Sequence, residues 1–396
     1  MWLLLACNPP DKSDDEPRPE ESAHSAADTG STGSVAHTGQ AHSATAGHTG
    51  DPGGCGDPAD WYVAEVVFDA GGDALDHVAA DLDGDGDDDL LVAEYYGESL
   101  AWYENGAGWA HHTVASVWKW DAAALAAGDL DGDGLPELVS AQIDDLYYGT
   151  DSPVSVWPNT GGGTFPRAYV SADRPGHSSM HAVVADLAGD GLPELVVSQD
   201  DGMFVSEGGF APLQRLGDPL FGRLKVGDLD DDGLLDVVGA STWLDGAGAT
   251  RTFPALARTL DHAVADLDED GDLDLVRFTE TGVTWNEGTG GGSFAANTTL
   301  LDDPSLGSDG GLVVDVDQDG AADVLVFVYG TDARWLHNLG GGQFDAQPPP
   351  LGISCENVPG FGHAAHRTAV LDGADLVCNR PYPSGQLLVW RRQPCP

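Results

Sequence analysis

A nine-residue pattern, Asp-x-Asp-x-Asp-Gly-x-x-Asp/Glu, recurs six times and limits what this chain can fold into. It begins at Asp81, Asp129, Asp186, Asp228, Asp266 and Asp315, in steps of 48, 57, 42, 38 and 49 residues. Such a period means an array of like units, each too small to bury its own apolar face without its neighbours. Two other markers keep the same rhythm. One is an aromatic that opens a short strand: Trp61, Trp109, Phe165, Phe210, Phe253, Phe294 and Phe344. The other is a strand ending near a Trp: Trp102, Trp157, Trp243, Trp285, Trp335 and Trp390, with Phe204-Val205 in the third repeat. Both markers occur seven times. The last repeat, Val370-Leu371-Asp372-Gly373-Ala374-Asp375-Leu376-Val377, keeps its strands and deletes the middle of the acidic loop.

Each unit reads as four strands, in the first Trp61–Phe68, Leu75–Ala80, Asp89–Glu94 and Ser99–Glu104. The third is a continuous apolar run such as Leu90-Leu91-Val92-Ala93, which suits a strand buried on both faces. Helical periodicity is absent, and 54 glycines and 24 prolines point to many turns. Four short strands in a period of about 47 residues match a propeller blade. The expected fold is all-β: a seven-bladed β-propeller of four-stranded blades over residues 55–396.

Alternating Asp at positions 1, 3 and 5 aims three carboxylates at one centre, Gly at position 6 permits a sharp turn, and the carboxylate at position 9 closes the shell. Six to eight oxygens in a flexible arrangement suit Ca²⁺ better than Mg²⁺, which holds a strict octahedron and keeps its waters. The predicted ligands are Asp81, Asp83, Asp85 and Asp89; Asp129, Asp131, Asp133 and Glu137; Asp228, Asp230, Asp232 and Asp236; Asp266, Asp268, Asp270 and Asp274; and Asp315, Asp317, Asp319 and Asp323. The third loop offers only Asp186, Asp190 and Glu194, because Ala188 stands where a carboxylate is needed. Up to six Ca²⁺ are expected, the third site being the weakest, with a role in holding the scaffold together.

The formal charge is −50, from 66 acidic against 16 basic residues. Phosphate backbones need the opposite sign, so nucleic acid is not an expected partner. Residues 8–54 are poor in apolar residues and rich in Ser, Thr, Gly, Ala and His, as in a disordered tether. Before them, Leu4-Leu5-Ala6-Cys7 resembles a bacterial lipobox, in which residues 1–7 are a signal remnant and Cys7 the lipidation site. No later run is long and apolar enough for a membrane helix. The expected location is therefore exported, anchored at the outer membrane or extracellular, with no membrane contact beyond that anchor. Ring closure brings chain ends together, which would let Cys55 meet Cys395 and leave Cys355 and Cys378 to pair in the seventh repeat. Four cysteines allow three pairings, and spacing does not choose among them.

The stretch Val78-Ala79-Ala80-Asp81-Leu82-Asp83-Gly84-Asp85-Gly86-Asp87-Asp88-Asp89-Leu90-Leu91-Val92 resembles the FG-GAP/VCBS repeat of integrin-α-like propellers. Val156-Trp157-Pro158-Asn159-Thr160-Gly161-Gly162-Gly163-Thr164-Phe165 and Trp335-Leu336-His337-Asn338-Leu339-Gly340-Gly341-Gly342-Gln343-Phe344 extend the resemblance. It implies Ca²⁺ in the loops of successive blades, but no single function. The expected role is a monomeric adhesion or binding module for a protein or glycan, without catalysis. The alternative is a Ca²⁺-dependent polysaccharide lyase, with His77, His181 and His262 (and His177, His363 and His366 nearby) gathered at the channel mouth. Trp118, Trp120, Tyr147 and Tyr148 are candidates for stacking on sugars.

Overall fold

The computed structural model describes residues 58, 61–69, 74–94, 97–116, 124–141, 154–166, 169–172, 179–206, 210–220, 222–246, 248–256, 259–303, 308–328, 332–345, 351–353, 368–371, 375–380 and 386–393. These hold strands and turns, with no α-helix, and no helix long and apolar enough to cross a membrane. The strands form seven antiparallel sheets, six of four strands and one of three. The expected seven-bladed, all-β propeller is what forms.

Blade one comprises Ala74–Ala80, Asp89–Glu94, Ser99–Glu104 and Ala110–Ser116. Blades two to six begin with Ala124–Gly128, Ser179–Ala185, Lys225–Gly227, Asp261–Ala265 and Ser308–Val314. These first strands pack beside those of neighbouring blades and ring the central axis. Second strands carry the core: Glu137–Ala141, Glu194–Gln199 and Asp323–Val328 are buried at every residue. That is the two-faced burial their unbroken apolar runs require, because a blade lies against each side. Outer strands are wetter, and Thr250–Thr252 is exposed throughout.

One expectation needs correction. The strand opening the first sequence repeat, Tyr62–Asp69, belongs to blade seven, where it pairs with Gln386–Arg392 outside Asp375–Arg380 and Thr368–Leu371. Its register, Ala64↔Trp390 and Val66↔Leu388, closes the ring with strands from opposite ends of the propeller. Each sequence repeat is therefore offset from a blade by one strand, and its opening aromatic lies on the outer edge of the preceding blade. The offset replaces a blade–blade junction between chain ends with a hydrogen-bonded ladder.

The Gly-Gly-Gly-x-Phe turns hook one blade to the one before. Gly163, Gly292 and Gly342 have φ of 63°, 70° and 66°. A Cβ on them would come within 2.1, 2.8 and 2.5 Å of Trp102, Trp243 and Trp285. Only a residue without a side chain lets the turn approach the preceding blade's Trp so closely.

Candidate metal centres

All six acidic loops connect a first strand to a second strand, so they lie at the same end of the ring. Position 2 of the loop is a plug: Leu82, Leu130, Leu267 and Val316 are wholly buried and Leu229 nearly so. The chain then turns through two left-handed residues. Position 6 is Gly in every copy, with φ from 88° to 100°. Position 4 is also left-handed, which the sequence pattern did not reveal. Gly84, Gly132 and Gly189 fill it in the first three loops, while Asp231, Glu269 and Gln318 adopt φ of 59°, 62° and 64° in the others.

The position-1 carboxylate ties the turn together. Asp81 Oδ1 accepts the N–H groups of Gly84 (2.8 Å) and Asp85 (3.1 Å), and Oδ2 that of Gly86 (3.1 Å). The position-5 and position-6 bonds recur at Asp129, Asp186, Asp228, Asp266 and Asp315. The position-9 carboxylate works as a clasp. Asp89 accepts the N–H of Leu82 (3.0 Å) and of Asn105 (2.8 Å), one per oxygen. Glu137, Asp236, Asp274 and Asp323 repeat this arrangement on Leu130 and Asn159, Leu229 and Gly246, Leu267 and Gly288, and Val316 and Asn338. Each oxygen has a second lone pair, so a clasped carboxylate can still face an ion.

Donor atoms lie within 4.8 Å of one another in Asp81/Asp83/Asp85, Asp129/Asp131/Glu137, Asp228/Asp230/Asp236 and Asp266/Asp268/Asp274. In the sixth loop the compact group is Asp317/Asp319/His337. Charge crowded this closely is costly without a cation. Burial pushes the clasp carboxyls Asp89, Glu137, Asp236 and Asp274 up to about 7 and Asp323 up to about 8, against the pull of their backbone bonds. Burial, then the position-5 carboxylate, also raises Asp83, Asp131, Asp230, Asp268 and Asp317. Asp230 Oδ1 and Asp268 Oδ1 are buried with no hydrogen-bond partner. Unpartnered carboxylate oxygens among other carboxylates fit a hard divalent cation and are compatible with Ca²⁺.

Sequence reasoning missed one position. Two residues beyond the marker Trp stand Glu104, Asp245, Glu287 and His337, each facing a position-3 carboxylate. In loops one and five they add negative charge. In loop six, His337 Nε2 lies 3.0 Å from Asp317 Oδ2. In loop four Arg251 intervenes, 3.0 Å from Asp230 and 2.9 Å from Asp245, with its guanidinium over Trp243. The fixed offset of two from the Trp was the available signal.

Blade seven keeps the clasp carboxylate while its sequence lacks the middle of the acidic loop. Asp375 stands at the clasp position and accepts the N–H of Arg392 (2.5 Å), as Asp89 accepts that of Asn105. Its other oxygen takes Arg391 Nη1 at 2.9 Å. Arg391 also donates to Glu65 (3.1 Å) and, through Nη2, to Asn105 of blade one, and it lies over Trp109. A fixed guanidinium thus spans the closing seam where the other blades present acidic loops.

Three stretches, 81–140, 142–197 and 266–326, match the FG-GAP-like repeat. The chain is an FG-GAP-repeat β-propeller. No curated protein matches it in sequence. Among solved structures, an Agrocybe aegerita lectin that recognises non-reducing terminal N-acetylglucosamine is 21% identical, over 69% of this chain and 79% of its own, with a TM-score of 0.52. BBS1N in complex with ARL6DN is 13% identical over 84% and 97%, with a TM-score of 0.53. The exotype rhamnogalacturonan lyase YesX is 14% identical over 83% and 75%, with a TM-score of 0.49. The first two show a shared fold.

Several predicted features fall outside the described residues of the FG-GAP propeller: Cys7, Cys55, Cys355, Cys395, the tether, His177, His363, His366, Trp118, Trp120, Tyr147 and Tyr148. Cys378 is described. It is buried in blade seven and disulfide-bonded.

Proposed function

We propose that this FG-GAP propeller is a Ca²⁺-stiffened binding module, exported and carried at the cell surface or released, that presents its ring to a protein or glycan. One observation carries the reading: the acidic loops are built into the joints between blades. Asn159 Nδ2 of blade two donates to Leu82 O of the first loop (2.9 Å), and Gly292 N of blade five to Leu229 O of the fourth (3.1 Å). Asn338 Nδ2 of blade six reaches Leu267 O of the fifth (2.7 Å). An ion that fixes a loop therefore fixes the carbonyl on which the next blade hangs. The metal's work is structural, and binding falls to other surfaces of the ring.

In this reading the loops are not equal. The third lacks a carboxylate at Ala188, the fourth carries Arg251, and the sixth includes His337. Loops one, two and five are the strong Ca²⁺ sites. At tenfold saturation each site adds about 1.4 kcal/mol to stability. Calorimetric titration of chelator-treated protein tests this ranking: high-affinity binding concentrated in loops three, four and six would refute it.

A second reading, a Ca²⁺-dependent polysaccharide lyase, draws on one observation. His181 lies within electrostatic reach of Arg223, Lys225 and His262, so imidazoles and cations meet near the axis. New unsaturated ends on an acidic polysaccharide incubated with the protein would favour it. Glycan binding with no change in polymer length would favour the module.

A further inference from the structure

Blade four breaks the hooking pattern. In blade five, residues 287–297 join the third strand to the fourth, and their glycine turn reaches the blade before, where Gly292 N donates to Leu229 O (3.1 Å). Blade six does the same at Leu267 O, through Asn338 Nδ2 (2.7 Å) and Gly342 N (3.2 Å). Blade four crosses the same gap with residues 245–249 alone. That short turn closes on itself: Asp245 N donates to Ala249 O (3.0 Å), and Gly248 N to Asp245 O (2.7 Å). It has no length left to reach blade three. Leu187 stands in the third loop where Leu229 and Leu267 stand in theirs, yet its carbonyl accepts no hydrogen bond among the described residues.

Where the hook is missing, a cavity of about 430 Å³ opens between blades three and four. Val205 and Leu216 of blade three wall it, with Leu235, Val237 and Leu244 of blade four. Leu187 and Glu194 line it too. Glu194 is the third loop's clasp carboxylate and is only 8% exposed. Its Oε2 accepts the N–H of Leu187 (2.8 Å) and, at 3.4 Å, that of Ala188. In the other clasps the second oxygen takes an N–H from the end of the third strand. Here Oε1 accepts none among the described residues, while Ser206, at that strand's end, pairs with Leu195 through both its Oγ and its N–H (2.9 Å each). Asp245, also in the lining, is held by Arg251 (2.9 Å).

We propose that this cavity binds an alkylammonium ion, its head on Glu194 and the Leu187 carbonyl and its stem along Val205, Leu216, Leu235 and Leu244. The open polar atoms are acceptors and one carries charge, so the matching group is a cation with several donors, as an ammonium is. The aliphatic walls take methylenes out of water. A sugar fits these walls poorly, since no aromatic ring lines the cavity to stack on it. Ca²⁺ needs six to eight oxygens, and Ala188 has already removed one ligand here. The acidity of the whole chain draws cations to the mouth. The pocket requires no ion in any loop, so it stands or falls apart from the Ca²⁺ reading, which the melting response to Ca²⁺ reports separately.

Calorimetric titration of the full-length, Ca²⁺-loaded protein with n-hexylammonium, n-hexyltrimethylammonium and n-hexanol tests it. Hexylammonium is expected to bind 1:1 and at least about tenfold more tightly than hexanol, which lacks the charge, or the trimethyl ion, which lacks the donors. E194Q should weaken hexylammonium at least about tenfold. D218N, which removes an exposed charge just past blade three's fourth strand, should not. If E194Q does not fold, A188L, at an exposed loop position, narrows the cavity and reads the same loss. Capped lysine, N-acetyl-lysine methylamide, separates the sources of the ammonium: affinity equal to that of hexylammonium assigns the pocket to a partner's lysine side chain, and weaker affinity to a free amine. Hexylammonium bound no better than hexanol, equal affinity for the trimethyl ion, or wild-type affinity in both E194Q and A188L would each overturn the proposal.

Discussion

Blade seven and the six blades before it hold one carboxylate in one place by different means. In blades one, two, four, five and six the clasp carboxylate accepts a backbone N–H from the loop and another from the end of the third strand. Around it stand further carboxylates whose mutual repulsion calls for a cation. Blade seven has lost the loop, and Arg391 occupies Asp375 directly while crossing to blade one. The difference teaches what the loops are for. In the proposed reading, an exchangeable ion serves where both sides of a joint are consecutive in the chain. A covalently fixed cation stands at the seam where the two ends of the propeller meet, and it stays whatever the Ca²⁺ concentration.

Breaking the fixed cation should have the largest effect. R391M leaves Asp375 and Glu65 partly buried without their partner and should cost about 2–3 kcal/mol in urea unfolding, by the same amount with Ca²⁺ or with chelator. Its companion, D268N, removes one carboxylate from a strong loop. With Ca²⁺ it should lose about 1–1.5 kcal/mol and one bound ion, while in chelator it should match or exceed the wild type, because a repulsive charge has gone. Equal losses from D268N in both conditions would erase the distinction between loop and clasp.

Acidity sharpens the same contrast. The clasp carboxyls Asp89, Glu137, Asp236 and Asp274, pushed up to about 7 without metal, must lose their protons to bind it. Ca²⁺ affinity is therefore fully developed above that value and falls as pH drops through about 7. The Ca²⁺-dependent part of the melting temperature should shrink between pH 7.5 and pH 5.5, and the loss caused by R391M should change little. The smallest effect is local. E269G relieves a left-handed non-glycine residue and should stabilise the fifth loop by up to about 1 kcal/mol, with its Ca²⁺ uptake unchanged.

The sequence made the ring legible because the same chemistry was written many times. Alternating Asp residues, the position-6 Gly and the apolar second strands each carry a local steric or burial rule, and repetition lifted them above chance. The closing strand was assigned to the wrong blade because pairing between Tyr62–Asp69 and Gln386–Arg392 is a long-range fact with no local signature. His337, Arg251 and Arg391 were missed for a related reason. They reach the carboxylates from neighbouring strands of the same blade, and apart from the fixed offset of His337 from Trp335 no local pattern marks which charges meet.

The most direct measurement of the central claim is thermal melting of chelator-treated protein as Ca²⁺ is added back. The account predicts a rise on the order of 10 °C, saturating as several ions bind, since six saturated sites together approach about 8 kcal/mol. A melting temperature indifferent to both chelator and Ca²⁺ would contradict it.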